Sequence, residues 1–407
     1  MTDKRADERE LGRIQEWVVM LANIEDRIGG RFSRSEARQE AIGYLKGLLS
    51  PVQRKNSWQL AEALGESNPY RLQHLLGRAR WDADGVRDDL RQYVVEQVGD
   101  DQAVLVVDET GYLKKGRHSA GVARQYSGTA GRVENCQVGV LLGYASRDGH
   151  TFLDRELYIP KEWTDDPQRC QQAGIPEDRE FMTKPALARQ MLARALDAGV
   201  PAGWVTGDSV YGDDRRLRLW LEEREQAYVM AVSGKEYVWL GWRQERITEL
   251  LTKLPDESWQ RLSAGSGSKG PRWYDWQRLS INAPMAEGWA RWVLVRRRLD
   301  EPAGLTAFVA YAPTTTDLET LVRVAGSRWT IEVALEEAKG EVGMDQYEVR
   351  SWAGWYRHVT LVMWAHALLT VLRTKSGTED ALKKGALLQG RTSTLDTFKR
   401  SRGLLSA

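Results

Sequence analysis

Residues 103–109 read AVLVVDE, five apolar residues closed by Asp108 and Glu109. An unbroken apolar run this short predicts a strand buried on both faces. Residues 204–208, WVTGD, repeat the construction and end in Asp208. Acids at the carboxyl ends of buried strands stand where open α/β sheets place their ligand sites. Either acid alone is equally a turn residue or a helix cap. Around these two runs, QVGVLLGYAS (137–146) and TFLDRELYIP (151–160) predict strands joined by a turn at Asp148-Gly149. Helices are predicted over Lys184–Ala198 and Asp213–Gln226, with YVMAV (228–232) a further strand. Strands alternating with helices give an α/β core with a mixed sheet.

Working outward, residues 8–98 read as helical throughout. LGRIQEWVVMLANI (11–24) spaces its apolar residues three and four apart, and Ser33–Leu49 is followed by Pro51. Ser57 can cap WQLAEALG, and ESNP turns into YRLQHLLGRARW, which carries Arg71 and Arg78. Two short helices about a Gly-containing turn suit a DNA-contacting helix-turn-helix, and equally any small helical bundle. On the other side, residues 234–284 break the α/β rhythm with Trp, Gly and Ser, as a β-rich insertion would. WARWVLVRRRL (289–299) and LTAFVAYAP (305–313) resume as strands, before helices over Asp317–Lys339 and Trp355–Arg373.

Within SRWTIEVALEEAKGEVGMDQYEVR (327–350), no Gly or Pro interrupts Ser327–Lys339. At ~100° per residue, Arg328, Glu332 and Lys339 fall within roughly 40° of one another. An acid flanked by two cations could hold a metal ion while the cations grip phosphates. The same stripe also describes a solvated charged face. Two strand-end acids elsewhere in the chain favour the first reading. Three carboxylates from two strands and a helix can hold a pair of divalent metals. Magnesium suits such an oxygen-only set without His or Cys.

Composition sets the bounds. The chain has 407 residues, 42% hydrophobic and 28% charged, with a formal net charge of +1. It is too long for one small module. No apolar run reaches membrane-spanning length and no leader is apparent, so a cytoplasmic protein without membrane contact is expected. Two cysteines and five histidines exclude a disulfide framework and zinc-ligand spacing. Near-neutral charge argues against a uniform basic coat, but local clusters at Lys114, Lys115 and Arg117, at Arg296–Arg298, and in the tail can follow a phosphate backbone. Lys114 and Lys115 stand just past the first acid, as DNA contacts or as an exposed turn.

VDETGYLKKG, GVARQYSGTAGRVENCQVGV, LYIPKEW, FMTKPALA, GDSVYG and RSWAGWYRHVTLVMWAHALL occur in that order. Together they resemble insertion-sequence transposases of the DDE, RNase H-like class. The match is to the group named after insertion sequence 701, related to the larger group with a Y-R-E-K signature. The resemblance spans about Arg31 to Arg373. It implies Asp108, Asp208 and Glu332 as catalytic, metal-holding acids, with two Mg2+ ions or Mn2+ in their place. Arg328 and Lys339 match the signature's Arg and Lys, which contact phosphates near the cleaved end. Where the signature has Tyr, this chain has Ala325. Glu109 is a neighbouring acid, and Glu336 is the alternative third acid.

The resemblance therefore implies a DNA transposase. Residues 1–98 form a helical DNA-binding domain in which Arg71 and Arg78 meet terminal inverted repeats. Residues 99–232 and 289–375 form the two parts of an RNase H-like core, separated by a β-rich insertion at 233–288 and followed by a basic tail at 376–407. The partner is double-stranded DNA, transposon end and target, with a homodimer assembled on it. Competing expectations are a domesticated copy that binds without cutting, a metal-dependent endonuclease without strand transfer, and a helix-turn-helix regulator whose three acids lie far apart.

Overall fold

The computed structural model describes residues 19–255, 258–267, 270–282, 286–301 and 304–384, with side chains described to Lys375. The basic tail lies outside the described side chains, and the helix expected over 11–24 is described from residue 19.

Helices come first: α1 (19–28), α2 (Ser35–Leu49), α3 (Ser57–Ala63), α4 (Tyr70–Gly77) and α5 (Ala83–Val98). Asn56 caps α3 and Asp82 caps α5 through side-chain oxygens that accept backbone N–H groups. Strands β1 (Val104–Leu113), β2 (Ala123–Ser127), β3 (Arg132–Ala145) and β4 (His150–Tyr158) follow. Helices α6 (Lys161–Thr164), α7 (Pro167–Ala173) and α8 (Lys184–Asp197) lead to β5 (Trp204–Gly207), α9 (Ser209–Gly212), α10 (Arg215–Glu223) and β6 (Ala227–Val232). A small hairpin, β7 (Tyr237–Leu240) and β8 (Arg243–Arg246), precedes α11 (Ile247–Leu251). Four strands then run in succession: β9 (Gln260–Gly267), β10 (Gly270–Ile281), β11 (Trp289–Arg297) and β12 (Leu305–Pro313). Two long helices close the described chain, α12 (Leu318–Val342) and α13 (Trp352–Lys384).

The main sheet has ten strands in the order β2-β3-β1-β5-β6-β12-β11-β10-β9, with β4 also paired to β3. β1 is antiparallel to β3 and parallel to β5, and β5 is parallel to β6. Within the inserted segment only β7 and β8 form a sheet of their own. β9 and β10 extend the main sheet through β11 and β12, which pairs with β6. Its polar strands (QRLSAGSG in β9) are held by backbone pairing, while Trp276 on β10 is buried.

The N-terminal helices are welded to the last one. α2, α4 and α5 pack on α13. The Tyr44 hydroxyl lies 2.9 Å from His358 Nδ1, Trp364 Nε1 donates to the Val86 carbonyl at 3.0 Å, and Arg357 donates to the carbonyls of Leu76 and Ala79. α5 is also tied to the sheet edge: Arg87 reaches Asp154 at 3.2 Å, and the fully buried Arg155 of β4 reaches Asp84 at 2.9 Å. One apolar core runs through helices and sheet.

Candidate active site

The parallel pairing of β1 and β5 ends with Val107 opposite Gly207, so Asp108 and Asp208 stand at the same level; β5 stops there, whereas β1, expected to close at the first acid, runs on to Leu113 paired with β3. Asp208 turns at once into α9, its carboxylate accepting from the Val210 N–H at 2.9 Å. Asp108 Oδ1 accepts from the Glu109 N–H at 2.8 Å. Both strands are buried throughout their apolar runs. The Asp108 carboxyl is pushed up to about 7, first by burial and then by the charge of Asp208. Asp208 is raised too, by burial and then by Glu109. Carboxylates crowded in this way at the edge of a buried sheet call for a cation.

The third element is α12, capped by Asp317 and ended by Gly343 in the left-handed conformation (φ 69°). It packs against β1, β5 and β6 and crosses β9. Gly326 makes that crossing possible: a Cβ there would stand 2.2 Å from the Ala264 carbonyl oxygen. Ala325, where the signature has Tyr, is buried on the same stretch of helix. Two residues beyond Gly326, Arg328 faces the acids. Its Nη1 lies 3.7 Å from Asp108 Oδ2, its Nη2 donates to Glu332 Oε1 at 2.5 Å, and its charge also lowers Asp208. One guanidinium thus lies between Asp108 and Glu332, and its charge partly offsets the rise at Asp208. The three acids are not far apart, as the regulator expectation requires.

Glu332 is exposed and turned to Arg328, and among the described residues no three His, Cys, Asp or Glu side chains form a ready metal cage. The donor set of carboxylate oxygens nonetheless suits a hard divalent cation. Release of Glu332 from Arg328 is the change such a site requires. Glu336, the alternative acid, is exposed one turn further along. Lys339 does not face the acids directly; its Nζ donates to Thr110 Oγ1 and Thr129 Oγ1, both at 2.7 Å, tying α12 to β1 and to the β2–β3 turn.

Glu109, the acid next to Asp108, is held by side chains from two other elements. Glu109 accepts from Lys184 Nζ at 2.7 Å through Oε1 and from the Tyr211 hydroxyl at 2.6 Å through Oε2. The bond to Tyr211 links β1 beside Asp108 to the helical turn that follows Asp208. The signal was present in the motifs FMTKPALA and GDSVYG, but the residues are 75 and 102 positions from Glu109 and only the fold unites them.

The other expected DNA contacts are dispersed. The Lys114 ammonium sits 3.5 Å from the centre of the Tyr347 ring, and burial pulls it down to about 8. Lys115 is exposed. On α4, Arg71 is engaged by Glu40 at 2.5 Å and Glu66 at 2.7 Å, whereas Arg78 at the helix end is exposed.

Comparison with known proteins bears on this arrangement. Residues 28–249 match the family model described as DDE superfamily endonuclease, and residues 173–368 match that described as transposase DDE domain. The chain is 31% identical over 202 residues to the probable transposase for insertion sequence element IS701 from Microchaete diplosiphon. That alignment covers 49% of this chain and 50% of the relative, so the chain spans about half of that protein's length. The first match alone takes in more than half of the chain and includes both Asp108 and Asp208, and on that ground the chain belongs to the DDE superfamily of endonucleases.

Proposed function

We propose that this protein is a DNA transposase that binds terminal inverted repeats, cuts the phosphodiester at the transposon end and joins the freed 3′-hydroxyl to target DNA. The observation that carries the reading is the side-by-side placement of Asp108 and Asp208 where the parallel pairing of β1 and β5 ends, with the Arg328 guanidinium reaching from Asp108 to Glu332. The strand order β4-β3-β1-β5-β6, three antiparallel strands followed by two parallel ones, supports an RNase H-like core. The IS701 relative is named as a transposase, and the reading extends that activity to this chain.

Asp108, Asp208 and Glu332 would hold two Mg2+ ions, or Mn2+, which supply an activated oxygen nucleophile and stabilise the leaving oxygen. The remaining work belongs to the chain. β1 and β5 hold the two aspartates in fixed register, and the Glu109–Tyr211 bond keeps the turn after Asp208 from shifting. Arg328, once parted from Glu332, has a planar fork suited to a phosphate beside the cleaved bond. Lys339, braced by Thr110 and Thr129, adds a second cation along the same helix. The N-terminal helices, through Arg78 and their other exposed cations, read the end sequence, with the protein acting as a homodimer on paired ends in the bacterial cytoplasm.

The deciding experiment is cleavage of a labelled duplex carrying the element's own terminal repeat, in Mg2+, by wild type and Asp208→Ala. The reading requires that wild type cut at the end while the variant binds without cutting. Binding by both with no cleavage by either makes the chain a DNA-binding relic. Cleavage without strand joining reduces it to an endonuclease.

A further inference from the structure

The arginines of the extended sheet fall into two electrostatic classes. Arg297 of β11 pairs with Asp275 at 3.3 Å, and Asp275 also pairs with Arg261 at 3.0 Å. Arg298 pairs with Asp300 at 2.8 Å and Glu301 at 3.5 Å. Arg296 points to the other face of its strand and has no ion pair among the described residues. Its guanidinium lies 4.7 Å from the Tyr274 ring centre and 5.9 Å from that of Phe308, with Nη2 donating to Thr306 Oγ1 at 3.1 Å.

Arg272 of β10 is held in the same manner. It lies 5.0 Å from the Trp329 ring centre, and its Nη2 donates to the carbonyls of Ala264 and Gly326 at 2.5 and 3.0 Å. It too lacks an ion pair among the described residues. Each guanidinium is thus fixed by an aromatic face and by one terminal nitrogen, and among the described residues no hydrogen bond engages its Nη1. In both residues Nε is buried without a partner, a cost the fold bears to keep the guanidinium in place. Burial brings Arg272 and Arg296 below the usual arginine range; repulsion from Arg328 adds to it, while Tyr274 and, for Arg272, Glu332 oppose it. Glu332, the acid nearest this cluster, is already bonded to Arg328.

We propose that Arg272 and Arg296 form, together with Arg328, a site for a phosphodiester of the DNA on the insertion side of the three acids. Arg272 and Arg296, fixed in place and without a paired acid among the described residues, match phosphate oxygens better than they match one another, and Arg328 joins them once parted from Glu332. DNA is favoured over an acidic protein segment because the cluster borders the acids of a DNA-cutting site; in this respect the inference rests on the transposase reading.

The test is a salt series of binding by the full chain to a fluorescent duplex carrying the element's terminal repeat, without metal. Each lost phosphate contact lowers the slope of log K against log salt by about 0.9. Arg272→Gln and Arg296→Gln are expected to lose about that much each, while Arg297→Gln, already paired with Asp275, keeps the wild-type slope. Arg272→Lys and Arg296→Lys keep the charge and are expected to restore it. Unchanged slopes in both Gln variants, with wild type binding and cutting the same duplex, overturn the phosphate site and leave the transposase reading standing. The same holds if the Lys variants restore nothing and every variant melts early, since the residues then act only on folding. Failure of wild type to bind or cut removes both readings together. Binding of a poly-glutamate peptide that is lost in the Gln variants, with their DNA slopes intact, assigns the cluster to an acidic protein instead.

Discussion

Arg328 and Glu332 lie one helical turn apart on α12 and share a hydrogen bond of 2.5 Å, while the same guanidinium reaches Asp108 at 3.7 Å. The cation that answers the three acids is therefore a movable side chain. A divalent ion that takes its place adds stability to the folded state. Magnesium at about a hundred times its Kd should raise stability by about 2.7 kcal/mol, read as a higher melting temperature. Asp108→Asn and Asp208→Asn should lose that rise. An equal rise in both variants would place the ion elsewhere.

Glu332→Gln keeps the shape of the side chain and removes its charge. Cleavage of the terminal duplex should fall at least about a thousandfold, the several kcal/mol that metal-centred stabilisation supplies. DNA affinity should stay near that of wild type. If Glu332→Gln cuts normally and Glu336→Gln does not, the third acid has been misassigned by one turn of helix.

The bond from Tyr211 to Glu109 is half-buried and ends on a carboxylate paired with Lys184. Tyr211→Phe should cost about 2 kcal/mol in urea denaturation, with Glu109 still engaged by Lys184. The variant should also slow cleavage, because the turn following Asp208 is no longer tied to β1. A variant that loses stability but cuts at the wild-type rate would make the bond purely structural.

Gly326→Ala would drive a methyl group against the Ala264 carbonyl, so α12 and β9 must separate. Overpacking of this kind costs about 1–3 kcal/mol. The shift falls two residues from Arg328, and cleavage should drop along with melting temperature. Wild-type values for both would mean that the crossing relaxes without strain.

His358 sets a pH limit on stability. It is fully buried, and burial, then the charge of Lys114 opposed by the Met344 carbonyl, holds its pKa at about 3. Its folded value lies below the ordinary 6.5, so the unfolded chain takes up the proton first. The contribution is whole above about pH 6.5 and declines as pH falls toward 3, by roughly 3 kcal/mol at about pH 4. His358→Gln forfeits the bond to Tyr44 and starts less stable, but it should lose less on acidification. Urea midpoints of the two proteins should therefore converge between pH 7 and pH 4, and a constant gap would count against this account.

Which parts of this fold can be read from the chain follows from where its information lies. β1 and β5 are buried on both faces, so their apolar runs declare themselves and carry Asp108 and Asp208 with them. Glu332 stands on an exposed helix face that composition cannot tell from any solvated stripe; the order of the motifs singled it out. The pairing of β9 and β10 with the main sheet is written in backbone hydrogen bonds, and polar strands such as QRLSAGSG give no period to follow. Long-range pairing also decided the fate of the basic residues. Lys114 and Arg71 look alike in sequence to Lys115 and Arg78, yet Tyr347 takes the first, and Glu40 and Glu66 take the second.

The union of α2, α4 and α5 with α13 bears on how such a protein changes its preferences over time. A helical segment joined by a free linker can be traded between relatives as a cassette. Here Tyr44, Val86 and the carbonyls of Leu76 and Ala79 are matched to His358, Trp364 and Arg357 near the far end of the chain. Recombination that brings in foreign N-terminal helices without their matching α13 leaves apolar faces and buried polar groups without counterparts. An exchange that keeps the fold must therefore carry the N-terminal helices together with α13.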